Sequence, residues 1–433
     1  MGNIKIYQKE LKGEVRIPPS KSMAHRAIIC AALGDGISKV SNIDLSDDII
    51  ATIDSMKSLG AVINDLGKGT LEIKGLNSKE VLATREYERV IDCNESGSTL
   101  RFLVPIALAF EGTTRFVGRG NLGKRPLDTY YEIFDLQGIK YSYKEGILDL
   151  VVSGLLKAGE FKIKGNISSQ FITGLMFTLP LLKGDSKIII TTELESKGYL
   201  DLTLSAMKDF GIDIINNDYK EFIIKGNQIY KSKDHRVEGD YSQGAFFLSA
   251  DALGAEVNIL DLKEDSLQGD KEVIDILTRM GTVIIKEGNG VVAKCNNLHS
   301  TKIDASQCPD IIPVISLVAA LSTGKTEIIN AGRLRIKECD RLNAVTVELN
   351  KLGAKIEQRK DSLLIEGVTE LNGGVEVWSH KDHRIAMTLA VASTRCKEPI
   401  ILKDYECVSK SYPQFFEDFK MLGGNFHEWN VGE

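Results

Sequence analysis

The sequence predicts an α/β (α+β) chain of two similar lobes, each built from three copies of one repeat. Three observations carry this. First, a helix-like segment ending in an apolar residue and Gly, followed by a strand-like run, recurs six times: SMKSLGAVI, IFDLQGIKY, AMKDFGIDI, ILTRMGTVI, ELNKLGAKI and DFKMLGGNF. Their glycines, Gly60, Gly138, Gly211, Gly281, Gly353 and Gly423, stand 78, 73, 70, 72 and 70 residues apart. Second, upstream of each lies another apolar segment opened by a polar cluster: SKSMAHR (20–26), NESGSTLR (94–101), SSQ (168–170), DYSQ (240–243), SQCPD (306–310) and KDHR (381–384). Third, short β-branched runs such as KIIITT (187–192), AEVNIL (255–260), TEIIN (326–330) and EPIILKD (398–404) lie between the paired helices. Parallel crossovers mixed with hairpins then give two lobes, each around a shared core.

Each element has a local reason. Every repeat Gly follows the last periodic position of a helix, where a left-handed cap is easiest without a Cβ. Ser, Asp and Asn ahead of a helix supply N-cap oxygens. A cap needs only one short acceptor, so the Lys, Arg and His in three of the six clusters ask for another explanation; for DYSQ, capping and binding stand level. Pro18 and Pro19 forbid helix in GEVRIPPSKS (13–22), which reads as a connector. KGNQIYKSKDHRVEGD (225–240) is polar and aperiodic and marks the internal boundary. The first lobe is expected over 19–237 and the second over 1–18 plus 238–433, with the N-terminal strand pairing in the second. Two crossings make a hinge.

Composition excludes several classes. The 433 residues are 43% hydrophobic with net charge −6, ample for folded cores and without a basic tail for nucleic acid. The longest apolar runs, 102–110 and 311–321, are far short of the roughly 20 residues that span a bilayer. The start lacks an apolar signal core. Seven scattered cysteines, never spaced C-x-x-C, suggest neither a disulfide framework nor a zinc knuckle. A cytoplasmic, reduced protein is expected. His380 and His383 form H-x-x-H without the glutamate and helix context of a zinc protease, and no metal is expected. Ser205-Ala206-Met207-Lys208 fits S-x-x-K, but on a helix whose counterparts carry ordinary surface residues. No Walker loop or dinucleotide fingerprint follows a strand, so no cofactor is expected.

If the six repeats pack alike, their first helices present N-termini together, each with unsatisfied N–H groups and partial positive charge that attract anions. Lys21, Arg26, Arg101, Arg125, Lys337, Arg341, Arg384 and Lys410 stand near these ends, with His383 beside them. Two phosphates and two carboxylates would bring roughly −5 to −6, which suits eight cations. Asp310, at the cap position of the fifth repeat, and Glu338 and Asp340 in RIKECDR are the acid and base candidates. A carboxylate among cations suits a base better than an acid.

The runs PSKSMAHRA, ESGSTLR, KRP (124–126), SSQF (168–171), RIKECDRL, DHRIAM (382–387) and VSKSYPQFF (408–416) together resemble the 5-enolpyruvylshikimate-3-phosphate synthase family, over essentially the whole chain. The resemblance implies two lobes of three βαβαββ-type repeats in an inside-out α/β barrel arrangement, an active site in the interlobe cleft, and closure of the lobes on substrate. It implies transfer of the enolpyruvyl group of phosphoenolpyruvate to the 5-hydroxyl of shikimate 3-phosphate, by addition and elimination through a tetrahedral intermediate. Carried over by position, Lys21 touches both substrates. Ser22, Arg26, Ser168, Ser169, Gln170, Ser196, Tyr199, Asp310 and Lys337 hold shikimate 3-phosphate; Gly97, Arg125, Gln170, Arg341, Arg384 and Lys410 hold phosphoenolpyruvate. Asp310 takes the 5-hydroxyl proton, Glu338 handles the methylene proton, and His383 assists. No cofactor, metal, nucleic acid or membrane is implied, and the protein is expected to be a monomer. Gly97 is compatible with glyphosate sensitivity. Ser98, Phe102 and Arg333 depart from residues found in many or some relatives. The enolpyruvyl transferase of UDP-N-acetylglucosamine shares the architecture but carries a reactive Cys before its Arg-Pro pair, where this chain reads GRGNLGKRP. A non-catalytic protein that closes on phosphorylated metabolites is the other rival, disfavoured by Asp310 and Glu338.

Overall fold

The computed structural model describes residues 2–76, 88–295 and 297–429. The chain divides into two lobes, one of Pro19–Glu238 and one of Met1–Pro18 with Gly239–Glu433. The first carries helices α1 (Lys21–Ala32), α2 (Asp47–Ser58), α3 (Gly97–Ala107), α4 (Asp128–Gln137), α5 (Ser169–Thr178) and α6 (Lys197–Asp209). The second carries α7 (Tyr241–Ala252), α8 (Glu272–Arg279), α9 (Ile312–Ala320), α10 (Arg341–Lys351), α11 (His383–Ser393) and α12 (Phe415–Met421).

The second repeat shows the pattern whole. Strand Glu88–Asp92, α3, strand Thr113–Val117, α4, and the hairpin Lys140–Tyr143 with Asp149–Ser153 follow in order. The first two strands pair in parallel and the hairpin adds antiparallel, so the fourth strand lies between the second and third. Among the described residues six four-stranded sheets result, and none closes on itself into a barrel. Three sheets borrow a strand from elsewhere in their lobe. His235–Arg236 pairs with Ile37–Ser41 in the first lobe. In the second, Lys12–Arg16 pairs in parallel with Glu256–Leu260, and Asn3–Tyr7 inserts between Ile400–Lys403 and Asn425–Trp429. The segment read as a connector at 13–22 therefore begins as a strand. Val15 is buried, its backbone is paired, and the two prolines fall only after the ladder ends.

Burial separates the two helices of each repeat. Every residue of α7, α9 and α11 is buried, and most of α1, α3 and α5 are, because these helices fill the middle of their lobes. In α8, by contrast, only Val273, Ile276 and Leu277 are buried, the i, i+3, i+4 stripe of a helix with one wet face. All six repeat glycines have positive φ, from 69° at Gly138 to 108° at Gly60. The aperiodic stretch 225–240 is nonetheless packed: Tyr230 is fully buried and its hydroxyl donates to the Phe177 carbonyl at 2.8 Å.

Candidate active site

In the first lobe, α1, α3 and α5 begin at Ser20, Ser96 and Ser168, whose hydroxyls accept from the N–H groups of Met23, Thr99 and Gln170. Capping is therefore real, and the groups around it do more. Lys21 Nζ pairs with Asp48 at 2.9 Å. Arg26, buried, donates from Nε to Thr203 Oγ1 at 2.9 Å, from Nη1 to the Ser22 carbonyl at 2.6 Å and from Nη2 to the Tyr199 carbonyl at 2.9 Å. Its guanidinium lies 5.5 Å from the Phe102 ring. Burial pulls the Arg26 guanidinium down to about 10, still charged at neutral pH. Ser196, buried, begins α6 with a left-handed backbone, φ 57°.

Gln170 bridges two helix starts. Its Oε1 accepts from Arg101 Nη1 at 2.8 Å, and its Nε2 donates to Ser98 Oγ at 2.9 Å. Arg101 also donates to the Pro126 carbonyl at 3.1 Å, next to Arg125. Gly97 opens α3 against the Arg125 guanidinium: a Cβ there would lie 2.8 Å from Arg125 Cζ. Behind the helix starts runs a buried chain, with His25 Nδ1 2.7 Å from Thr52 Oγ1, Thr52 2.7 Å from Thr99, and Thr99 donating to Ser96 at 2.7 Å. Burial pushes His25 down to about 3, so it is neutral.

The second lobe gathers charge more densely. Asp310 Oδ1 lies 3.1 Å from Lys337 Nζ and accepts from Arg341 Nη1 at 2.8 Å; Oδ2 accepts from Arg384 Nη2 at 3.4 Å. Arg384 Nη2 reaches Ser242 Oγ at 3.0 Å, and its Nη1 the Asp310 carbonyl at 3.2 Å. The openings of α7, α9 and α11 thus meet at one place. Arg341, buried at the start of α10, donates from Nη2 to Glu338 Oε2 at 2.6 Å and from Nε to Asp382 Oδ2 at 2.7 Å. Burial alone would raise the Asp310 carboxyl, but Lys337, Arg384 and Arg341 hold it well below the ordinary carboxylate range. Burial would likewise lower the Arg341 guanidinium, yet Asp382, Glu338 and Asp310 carry it well above its usual value. Lys337 is lowered by burial, with Asp310 opposing. Lys410 and His383 are buried in the same lobe, and Ser411, beside Lys410, accepts from Gln243 Nε2 at 2.7 Å.

One expectation needs correction. Asp310 is not the cap of the fifth helix. Ile311 holds that position with no side-chain cap bond, and Pro313 occupies the first turn, where one N–H needs no acceptor. The carboxylate is drawn instead to three cations, while Asp340 does cap α10 by accepting from the Asn343 N–H at 3.0 Å. In the DYSQ cluster Asp240 caps, while Ser242 and Gln243 bond to Arg384 and Ser411. The H-x-x-H pair divides, since His380 bonds Glu348 at 2.8 Å while His383 packs beside Asp382.

Asp382 and Asp48 were missed. Asp382 stood in the KDHR cluster, and its isolation from water beside Arg341 was the missing clue. For Asp48, 27 residues from Lys21, no local signal existed.

A model of the EPSP synthase (3-phosphoshikimate 1-carboxyvinyltransferase) family matches residues 6–419. The 3-phosphoshikimate 1-carboxyvinyltransferase of Clostridioides difficile (strain 630) is 71% identical over 438 residues, covering 100% of both chains. That of Clostridium beijerinckii is 73% identical over 436 residues, again covering 100% of both. Among solved structures, an EPSP synthase from Acinetobacter baumannii aligns with a TM-score of 0.82 over 99% of this chain and 100% of that one, at 24% identity. The enolpyruvyl transferase NikO from Streptomyces tendae aligns with a TM-score of 0.79 over 99% of both, at 16% identity. The two structures speak for the fold alone, whereas the family match and the 71–73% identities extend over the motifs that hold Lys21, Arg125, Asp310, Arg341 and Arg384. The chain belongs to the EPSP synthase family.

Proposed function

We propose that this chain transfers the enolpyruvyl group of phosphoenolpyruvate to the 5-hydroxyl of shikimate 3-phosphate, with release of inorganic phosphate. The observation that carries this reading is Asp310 held beneath Lys337, Arg341 and Arg384, an ionised carboxylate at a place built to receive anions. In the first step the 5-hydroxyl oxygen bonds to the central carbon of phosphoenolpyruvate, its proton passes to Asp310, and the methylene carbon takes up a proton. In the second, the carbon–oxygen bond to phosphate breaks and the methyl group gives back a proton, restoring the enol ether. The cations stabilise charge that shifts toward the phosphate oxygen as that bond breaks.

Lys21, Ser22, Arg26, Ser168, Ser169, Gln170, Ser196, Tyr199 and Lys337 are assigned to shikimate 3-phosphate. Gly97, Arg125, Gln170, Arg341, Arg384 and Lys410 are assigned to phosphoenolpyruvate, with Lys21 common to both. Glu338 is assigned to proton transfer at the methylene. An anionic substrate that takes over Arg341 removes the cation from Glu338 and brings negative charge beside it, so Glu338 takes up a proton, delivers it to the methylene in the first step and recovers it from the methyl group in the second. His383 assists from beside Asp382. Transfer needs both sets of groups to act on one pair of substrates. The protein is assigned to the cytoplasm and to a monomeric state.

Phosphate release from phosphoenolpyruvate is the test, measured with shikimate 3-phosphate and, separately, with UDP-N-acetylglucosamine. Release with the first acceptor only is expected. Release with the second, or with neither, overturns the assignment.

A further inference from the structure

Glu348 lies outside every group assigned above, yet it is buried and fully engaged. It sits on α10 seven residues after Arg341, two helical turns on, so both face the same way about 10 Å apart along the axis. Both reach the segment that leads into α11. Arg341 holds Asp382, and Glu348 accepts from the Trp378 N–H at 3.1 Å and lies 2.8 Å from His380 Nε2. Lys351 also donates to it, at 3.0 and 2.9 Å.

The segment between those two holds is unusual. His380 and Lys381 both have left-handed backbones, φ 53° and 57°, which side chains with a Cβ adopt only under constraint. The His380 ring rests 4.2 Å from the Trp378 ring, and Trp378 Nε1 donates to Asp404 at 2.9 Å. The next residue is Asp382, which accepts from the Arg384 N–H at 2.9 Å as well as from Arg341. A relaxed 378–381 segment would therefore shift Asp382, and with it the two guanidinium groups that bracket Asp310.

We infer that Glu348 is a positioning residue for the transfer reaction: by gripping Trp378 and His380 it holds the left-handed pair that sets Asp382, and so fixes Arg341 and Arg384 for phosphoenolpyruvate. This rests on the assignment of those arginines to that substrate. Lys351 is a surface counter-charge in this scheme, and His380 is the arm through which Glu348 acts.

The test compares wild type with Glu348→Gln, Glu348→Ala, His380→Ala and the double variant Glu348→Gln/His380→Ala. KM for each substrate, kcat and Tm are measured. Glu348→Gln is the primary variant because it keeps an oxygen for the Trp378 N–H and preserves side-chain volume. Its KM for phosphoenolpyruvate is expected to rise about tenfold, with KM for shikimate 3-phosphate within twofold of wild type. The double variant is expected to be little worse than the worse single one, since both cut one connection. An unchanged KM for phosphoenolpyruvate overturns the inference. So does an equal rise for both substrates in step with a fall in Tm, or full additivity of the two changes. If wild type itself releases no phosphate with shikimate 3-phosphate, the parent assignment fails instead.

Discussion

The two lobes repeat one fold but treat their arginines differently. In the first lobe Arg26 is answered by carbonyl and hydroxyl oxygens, and Arg101 by the Gln170 amide and the Pro126 carbonyl. In the second, Arg341 is wrapped by Asp382, Glu338 and Asp310, and Arg384 touches Asp310. Around Arg26, neutral oxygens position the guanidinium without cancelling its charge. Carboxylate partners cancel that charge, so they demand another use, and proton transfer is the one the reaction provides. On the proposed reaction the first lobe is the docking half and the second the reacting half; carboxylate-paired cations also occur in the first lobe, among them Lys21–Asp48, Arg115–Asp149 and Arg119–Asp92.

The strongest way to break this contrast is Asp310→Ala. A general base is worth roughly 10²–10⁴ in rate, so kcat should fall by about a thousandfold while KM for both substrates changes only a few-fold. Equal losses in kcat and binding would make Asp310 a structural counter-ion and erase the distinction. Next in size is Arg26→Ala. Charge-assisted hydrogen bonds are worth about 1.5–3 kcal/mol, so KM for shikimate 3-phosphate should rise roughly 10- to 100-fold. KM for phosphoenolpyruvate should rise less, and the opposite ranking would show the subsites reversed.

A smaller effect sharpens the docking half. Gly97→Ala places a methyl against Arg125, so the guanidinium must move. KM for phosphoenolpyruvate should rise about tenfold, a loss of one well-placed charge-assisted contact. Unchanged kinetics would mean that Arg125 does not touch that substrate.

The smallest effect is on pH. His25 titrates near 6.5 when unfolded and is pushed down to about 3 by burial when folded. Its contribution to stability is complete above pH 6.5 and is lost as pH falls from 6.5 toward 3. The Tm of wild type should drop more steeply between pH 7 and pH 4.5 than that of His25→Asn. Parallel curves would show that His25 is not kept neutral by its surroundings.

Repetition made the repeats legible: six Gly stops at near-constant spacing are local signals, and φ at all six is positive. The motifs likewise named Lys21, Asp310, Arg341 and Arg384. What could not be read was whatever depends on partners far along the chain. The start of the 13–22 segment looked like a connector because the ladder of Lys12–Arg16 is completed by Glu256–Leu260. Asp382 and Glu348 passed unnoticed because a carboxylate declares its role only when its partner, here Arg341 or His380, is seen beside it.

The borrowed strands have a consequence for how the protein is made. During synthesis, Pro19–Glu238 has every strand it needs once residue 238 has emerged, since His235–Arg236 closes its first sheet. Asn3–Tyr7 must wait for its partners Ile400–Lys403 and Asn425–Trp429, which are translated hundreds of residues later. The nascent chain thus carries an unmatched strand until those residues emerge, and a chain cut short before Ile400 would leave it without a mate.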